Sequence, residues 1–296
     1  MSPGRVRNDN YLVTLGRSTG GGAFPSVSDM KILVVADLHY ALKQYDWLKS
    51  VAADFDVIVL AGDLLEIASS VERRAQIVVV RIYLEELVEK SRIMVCSGNH
   101  DLDSRNAEGE LVAQWVSELG EIGVVPDWGS VTIDGTLITV CPWWDGPSTR
   151  DAIGRQLAAD AEKTKERWIW VYHAPPSGSP VSWSGRRHHG DEALAEWIGL
   201  YTPDVVMSGH VHQSPFVPEG SWADRIGKTW VFNTGQQIGP TPANIALHLD
   251  HGEAVWTSLE GCQILSLADA PRRPFDRMTD IPDWFRAEDP ADLPRA

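Results

Sequence analysis

Short apolar runs alternate with longer amphipathic stretches over most of the chain. Stretches at about 41–53, 71–90, 107–119, 150–166 and 191–200 predict helices. The runs between them are rich in β-branched residues and predict strands buried on both faces. These runs lie at residues 31–36, 56–61, 92–96, 167–172 and 204–208. The βαβα order predicts a layered α/β domain.

The pattern changes in two later segments, which contain consecutive apolar runs without a helix between them. Residues 130–141 and 228–260 predict strands joined by tight turns at Asp134-Gly135 and His251-Gly252. Such dipeptides favour antiparallel hairpins. The chain is therefore expected to form mixed sheets.

The two ends of the chain lack apolar periodicity. Residues 1–29 predict a flexible leader, residues 30–267 the folded domain, and residues 268–296 a proline-rich C-terminal tail. We expect Trp284 and Phe285 to attach that tail to the surface of the domain.

Composition narrows the class of protein. The 26 basic and 41 acidic residues give a net charge of −15, which argues against broad binding of nucleic acid or anionic membranes. Three widely spaced cysteines predict no disulfide framework and favour a reducing compartment, so we expect a cytoplasmic protein. No apolar run is long enough for a membrane span, and the first 30 residues lack a signal-peptide core. No pattern predicts an oligomeric state.

Polar side chains follow each of the five predicted strands. The segments are Asp37-Leu38-His39, Gly62-Asp63, Gly98-Asn99-His100-Asp101, His173-Ala174-Pro175-Pro176 and Gly209-His210-Val211-His212. In open α/β sheets the loops at the carboxyl ends of the strands converge on one crevice. We therefore expect these side chains to lie together.

The residue types in this crevice suit metal binding. Carboxylate and imidazole groups together bind divalent metals of intermediate softness, such as Mn, Fe, Zn or Co. Asp63 follows a tight glycine turn and could use both oxygens to bridge two ions. There are enough ligands for two ions about 3.5–4 Å apart, as in two-metal hydrolytic sites.

The five segments, in this order, resemble the motifs of the calcineurin-like metallophosphoesterase superfamily, and in particular of its bacterial members. Those motifs are D-x-H, G-D, G-N-H-D, a histidine followed by small residues or prolines, and G-H-x-H. All five are intact here and span about residues 31–249. The resemblance implies an α/β fold of two packed mixed β-sheets flanked by helices.

The resemblance also implies roles for individual residues. The first metal ion is expected to bind Asp37, His39, Asp63 and His212, and the second Asp63, Asn99, His173 and His210. His100 matches a histidine that contacts the phosphoryl group or protonates the leaving oxygen. Asp101 is expected to orient His100. The two ions are divalent or trivalent, and Mn, Fe, Zn and Ni all fit the ligand types.

These assignments predict a phosphatase or phosphodiesterase, a hydrolase for small phosphomonoesters or phosphodiesters. Attack would be in line, by a hydroxide that bridges the two metal ions. The net charge argues against long nucleic acid as the substrate. A nuclease-type phosphodiesterase and a non-catalytic interaction scaffold on the same fold are the alternatives, and hydrolysis of a non-phosphate ester is a more remote one.

Three further residues are predicted to bind substrate. Arg186 and Arg187 lie in a loop rich in Ser, Gly and Pro, and arginine binds phosphate through paired hydrogen bonds; a solvated surface loop is the alternative. Trp143 follows a predicted strand and would form an aromatic wall, although packing in the core is equally compatible with its position. Asp101 and His173 are 72 positions apart, and the interval has room for a partial lid that carries Trp143 and Trp144.

Overall fold

Two mixed β-sheets pack face to face, and helices cover their outer faces. The structure is a computed structural model that describes residues 30–285. The predicted leader at 1–29 and the end of the predicted tail, at 286–296, lie outside the described residues.

Short strands and helices alternate along the described chain. The strands are β1 (Lys31–Val35), β2 (Val57–Ala61), β3 (Arg92–Cys96), β4 (Ser104–Arg105), β5 (Leu111–Val112), β6 (Ser130–Ile133), β7 (Thr136–Val140), β8 (Arg167–Val171), β9 (Val205–Ser208), β10 (Ala223–Ile226), β11 (Thr229–Asn233), β12 (Asn244–His248), β13 (Glu253–Ser258), β14 (Gly261–Ser266) and β15 (Asp276–Arg277). The α-helices are α1 (Leu42–Val51), α2 (Arg73–Val88), α3 (Gln114–Ser117), α4 (Pro147–Ala161) and α5 (Glu192–Tyr201).

Each large sheet combines parallel strands with antiparallel ones. The first sheet has the order β15-β14-β13-β12-β1-β2-β3, and its parallel strands are β1, β2 and β3. The second has the order β10-β11-β9-β8-β7-β6, and its parallel strands are β11, β9, β8 and β7. The fold predicted from the motifs, two packed mixed sheets with flanking helices, is confirmed.

Alternation of side chains along the strands divides the core into layers. On β1, Ile32 and Val34 face the second sheet, whereas Leu33 and Val35 face the helices α1 and α2. The outer face of the second sheet packs on α4 and α5 in the same way. Because successive side chains point to opposite faces, a strand between two packed layers is apolar at every position. This is the pattern from which the strands were predicted.

The predicted helix at 107–119 was wrong in its first half. Residues 104–112 form the small hairpin β4–β5, and the α-helix there is confined to Gln114–Ser117. The side-chain oxygen of Asn106 accepts hydrogen bonds from the backbone N–H groups of Glu108 and Glu110, and Gly109 adopts a left-handed φ of 84°. Asparagine and glycine thus form a turn that competes with the helix.

The interval between Asp101 and His173 does not form the predicted lid. Most of it is built into the second sheet as β6 and β7 and into its helical cover as α4. The predicted hairpin turns at Asp134-Gly135 and His251-Gly252 are present. However, β11 and β12 belong to different sheets, so residues 228–260 do not form one continuous meander.

The described part of the predicted tail packs on the domain. The strand β15 pairs with β14, and Phe275 is buried between the sheets. Trp284 is buried beside the outer face of the first sheet and donates a hydrogen bond to Glu253. No helix within residues 30–285 has the length and apolar character needed to cross a membrane.

Candidate metal centre

The loops after β1 and β2 are joined by backbone hydrogen bonds. The N–H of Asp37 donates to the carbonyl of Gly62, and the N–H of His39 donates to the carbonyl of Asp63, both at 3.0 Å. Asp37 and Asp63 are each about 1% exposed. The parallel register of the two strands therefore sets the distance between the two buried carboxylates.

Four of the predicted ligands have left-handed backbone conformations. These are Asp37 (φ 55°), His39 (φ 43°), Asp63 (φ 54°) and His210 (φ 67°). A non-glycine residue in this region carries strain of order 1–3 kcal/mol and persists only where its surroundings hold it. The strain turns the chain sharply at the strand ends, so that side chains from separate loops point to one place.

Asp63 lies at the centre of the arrangement. Its Oδ1 accepts a hydrogen bond of 2.8 Å from the N–H of His100. Its Oδ2 lies 3.2 Å from His173 Nε2 and 3.8 Å from His39 Nε2. One carboxylate oxygen therefore faces histidines from the loops after β1 and β8.

The first group of potential ligands gathers around Asp37. His212 Nε2 lies 3.4 Å from Asp37 Oδ1 and 3.1 Å from His39 Nε2. Asp37, His39, Asp63 and His212 each present one atom within 4.8 Å of the others. The structure thus brings together the four residues expected to bind the first ion.

The second group contains Asp63, His173 and His210, whose potential ligand atoms also lie within 4.8 Å of one another. Asn99 is in the loop that contacts Asp63, and its Oδ1 is a buried acceptor with no hydrogen-bond partner among the described residues. Asp63 belongs to both groups. The described residues therefore include two groups of Asp and His ligand atoms that share the Asp63 carboxylate.

The tautomer of His173 shows that the donor set fits a cation. Its Nδ1 lies 2.7 Å from the carbonyl oxygen of Ala61, which can only accept, so Nδ1 carries the proton. In the neutral ring, Nε2 then offers a lone pair toward the Asp63 carboxylate. Two acceptors facing each other in a buried site require either a second proton or a metal ion between them.

Burial and the charges in the cluster raise the pKa of one histidine and lower that of another. Burial opposes the charged form of His173, but the charges of Asp63 and Asp37 outweigh burial and raise its pKa to about 9. Burial together with the nearby charge of His173 lowers the pKa of His210 to about 4. Burial would raise the pKa of Asp63, yet His173 and the N–H of His100 hold it well below its usual value. Without a metal, a proton on His173 balances the shared carboxylate.

Two glycines in the motifs allow the loops to approach the carboxylates. A Cβ on Gly98 would overlap the backbone nitrogen and Oδ1 of Asp63. A Cβ on Gly209 would overlap Asp37 Oδ2. The glycines in G-N-H-D and G-H-x-H are thus required by contact with the ligands of the neighbouring loops.

Asp101, which was predicted to orient His100, contacts backbone groups of two loops through its carboxylate. Its buried carboxylate accepts hydrogen bonds from the N–H groups of Leu64, Leu65 and Gly98, at 2.8–3.0 Å. Asp101 therefore ties the loop after β2 to the loop after β3, and burial raises its pKa to about 8. Among the described contacts, a different carboxylate, that of Glu66, faces the ring of His100.

Glu66 is a residue that the sequence prediction missed. Its Oε2 lies 3.5 Å from His39 Nδ1, and its Oε1 lies 3.6 Å from His100 Nδ1. His39, Glu66 and His100 form a third cluster of potential metal-ligand atoms. The sequence signal was an acidic residue three positions after Asp63 in the same loop, beyond the end of the recognised G-D motif.

Trp143 lies against the second ligand group. Its ring centroid is 5.7 Å from that of His173 and 5.3 Å from that of His210. Trp143 lines a pocket together with His189 and His210. Arg186 and Arg187 are exposed and do not line this pocket. The connection between Arg187 and this pocket is a hydrogen bond of 3.2 Å to His189.

Comparison with known families agrees with the geometry. The family model of calcineurin-like phosphoesterases matches residues 30–214 of this chain. No curated protein sequence shows a significant match.

The solved structures that match this chain share little sequence with it. The crystal structure of TT1561 from Thermus thermophilus superposes with a TM-score of 0.52 at 15% identity, covering 81% of this chain and 100% of that one. A dimetal phosphatase from Danio rerio gives 0.48 at 8% identity, with coverages of 77% and 95%. A purple acid phosphatase, PPD1, from yellow lupin seeds gives 0.47 at 14% identity, with coverages of 82% and 52%. At 15% identity the likeness to TT1561 shows the fold alone.

Gly98→Ala is expected to weaken metal binding by about 10–100-fold, because its Cβ would displace the Asp63 carboxylate. A calorimetric titration of the metal-free protein with Mn²⁺ measures the change in affinity. Gly199→Ala on α5 is the control, since its Cβ would enter open space. Equal Mn²⁺ affinities for Gly98→Ala and wild type would contradict the close approach.

Metal binding at pH 7 is expected to release at least about one proton, because His173 keeps its proton up to a pKa of about 9 and must lose it to become a ligand. His210, with a pKa of about 4, is already neutral and contributes none. Calorimetric enthalpies in buffers of different ionisation enthalpy give the proton count. His173→Asn should lower the count by about one and His210→Asn should leave it unchanged; an enthalpy independent of the buffer in wild type would argue against the protonated His173.

Proposed function

The chain belongs to the calcineurin-like phosphoesterase family, and we propose that it is a dinuclear metal-dependent phosphoesterase that hydrolyses small phosphomonoesters or phosphodiesters by in-line attack of water. The observation that carries this proposal is the position of Asp63. Its buried carboxylate belongs to two ligand groups, and the Nε2 of His173 faces it at 3.2 Å.

We assign the first ion to Asp37, His39, Asp63 and His212 and the second to Asp63, Asn99, His173 and His210. Two ions of this kind, with Mn, Fe, Zn and Ni as candidates, would supply Lewis-acid activation of water and neutralise the phosphate. The hydrogen bond from His173 Nδ1 to Ala61 fixes the ring that offers Nε2 to the site. In the same way, the backbone N–H of His210 donates to Asp37 and orients that carboxylate.

His100 is proposed as the catalytic residue that protonates the leaving oxygen. The backbone N–H of Ile67 lies 3.4 Å from its Nδ1, and Oε1 of Glu66 lies 3.6 Å from the same atom. These two contacts position the imidazole ring beside the ligand groups, and a positioned histidine can serve as a general acid. Glu66 acts here as a positioning residue, and Asp101 supports the loop.

Substrate binding is proposed to involve Trp143, with Arg187 and Arg186 in the adjacent loop. Support for Trp143 comes from its contact with His173 and His210. The charge of −15 supports a small ester captured locally over long nucleic acid, because only the metal centre would concentrate positive charge. The three cysteines are widely spaced and form no CxxC motif. This pattern favours a reducing compartment and supports a cytoplasmic location.

Asp63→Asn and His100→Ala are expected to separate metal binding from catalysis. Asp63→Asn should lose both bound metal and turnover, because it removes the carboxylate shared by the two ligand groups. His100→Ala should keep its metal and lose about 10²–10⁴-fold in kcat, the usual contribution of a general acid. Metal analysis and hydrolysis of p-nitrophenyl phosphate and bis(p-nitrophenyl) phosphate measure both effects.

The exposed Asp54→Asn is the charge-matched control for Asp63→Asn and should behave like wild type. Wild-type protein that binds two metal ions and cleaves neither ester would exclude the catalytic proposal and favour an interaction scaffold. Retention of full activity by Asp63→Asn would exclude the assigned centre.

A further inference from the structure

Two separate pockets adjoin the metal centre. The first, which we call the His39 pocket, has a volume of about 510 Å³ and is lined by residues 38, 39, 41–44, 66 and 236–240. The second, the His210 pocket, has a volume of about 460 Å³ and includes Trp143, Trp144 and His210. They have no lining residue in common. Each pocket therefore adjoins a histidine from a different ligand group.

The glutamine side chains of the His39 pocket form hydrogen bonds within the protein, and the charged side chains in its lining are Lys43 and Glu66. The side-chain amide of Gln44 donates to the carbonyls of Gln237 and Gly239, at 3.0 and 3.2 Å. Gln237 donates to Thr241 and accepts from the N–H of Leu259. These hydrogen bonds fix the loop at 236–240 and leave mainly carbon surface for a ligand.

The same loop is tied directly to the first ligand group. The side-chain amide of Gln236 donates to the carbonyl of Asp37, and its backbone N–H donates to the carbonyl of His212. At the rim of the pocket, Ile238 is 93% exposed. The hydrogen bonds of this loop thus hold the exposed side chain of Ile238 beside the metal ligands. An apolar substituent of a bound ester would pack on this side chain and remove its apolar surface from water.

The His210 pocket has a different chemistry. The indoles of Trp143 and Trp144 provide flat walls, and the charged side chains of Arg150, Glu192 and Glu196 surround them. Trp144 is held in place by hydrogen bonds from its Nε1 to Tyr172 and Asp191. This pocket suits a flat or polar substituent.

The number of substituents on the phosphate discriminates between the two classes of ester. A monoester has one substituent and would leave one of the two pockets empty, whereas a diester could occupy both.

We propose that the substrate is an asymmetric phosphodiester, with an apolar arm in the His39 pocket and a flat or polar arm in the His210 pocket. The proposal rests on the phosphoesterase function proposed above and adds the class of ester. Ile238 is then a specificity residue for the apolar arm, and the Trp143–Trp144 pair receives the other arm.

A series of alkyl p-nitrophenyl phosphates tests the apolar arm. From methyl to octyl, kcat/KM of the metal-loaded wild-type protein is expected to rise by at least about tenfold, because each buried methylene adds transfer free energy. Ile238→Asp should remove most of this rise, measured as the ratio of the octyl to the methyl kcat/KM. Val78→Asp on α2 is the matched control, since Val78 is also exposed but does not line the pocket.

Binding of uncleaved analogues gives a readout that is independent of turnover. Calorimetry with octyl and methyl methylphosphonate, both monoanions, should show tighter binding of the octyl compound to wild type and to Val78→Asp, but not to Ile238→Asp. The variant should fold normally because Ile238 is almost fully exposed.

The outcomes separate the two proposals. Cleavage of p-nitrophenyl phosphate with a higher kcat/KM than every diester, or a chain-length effect that Ile238→Asp does not change, would overturn the diester proposal and leave the phosphoesterase function standing. Failure of the metal-loaded protein to cleave any of these esters would overturn both.

Discussion

The Asp63 carboxylate is buried at the end of β2, and a buried carboxylate costs several kcal/mol unless it is paired. Its partners come from separate parts of the chain: the N–H of His100 follows β3, the ring of His173 follows β8, and the ring of His39 follows β1. Neutralising this one charge therefore requires the loops of both sheets to meet. In the metal-free protein a proton on His173 meets this need, and two metal ions would do so in the proposed metal-loaded form.

The fold contributes the rigidity that this meeting requires. Left-handed φ angles at Asp37, His39, Asp63 and His210 would not persist in a free loop. Here each loop begins at the carboxyl end of a strand that is packed on both faces, and Asp101 joins two of the loops through three backbone hydrogen bonds. Local strain at the ligands is thus balanced by the surrounding packing and hydrogen bonding.

Much of this could be predicted from the sequence, because the signals were local. Strands buried on both faces appear as continuous apolar runs, and the ligand motifs come directly after them. What could not be predicted depends on contacts between distant segments. The local sequence does not show whether Asp101 contacts the ring of His100 or the backbone of two loops. It also does not show whether Glu66 faces solvent or two histidines. The hairpin at 104–112 was missed because the hydrogen bonds of a single side chain, that of Asn106, outweighed a helix-like pattern.

The shared carboxylate also explains how an acidic chain could act on an anionic substrate, since the positive charge would be confined to one buried point. Anomalous X-ray diffraction from crystals of the Mn²⁺-loaded protein tests this account most directly. The account predicts two anomalous peaks about 3.5–4 Å apart, with Asp63 bound to both. A single peak, or two peaks of which only one contacts Asp63, would contradict it.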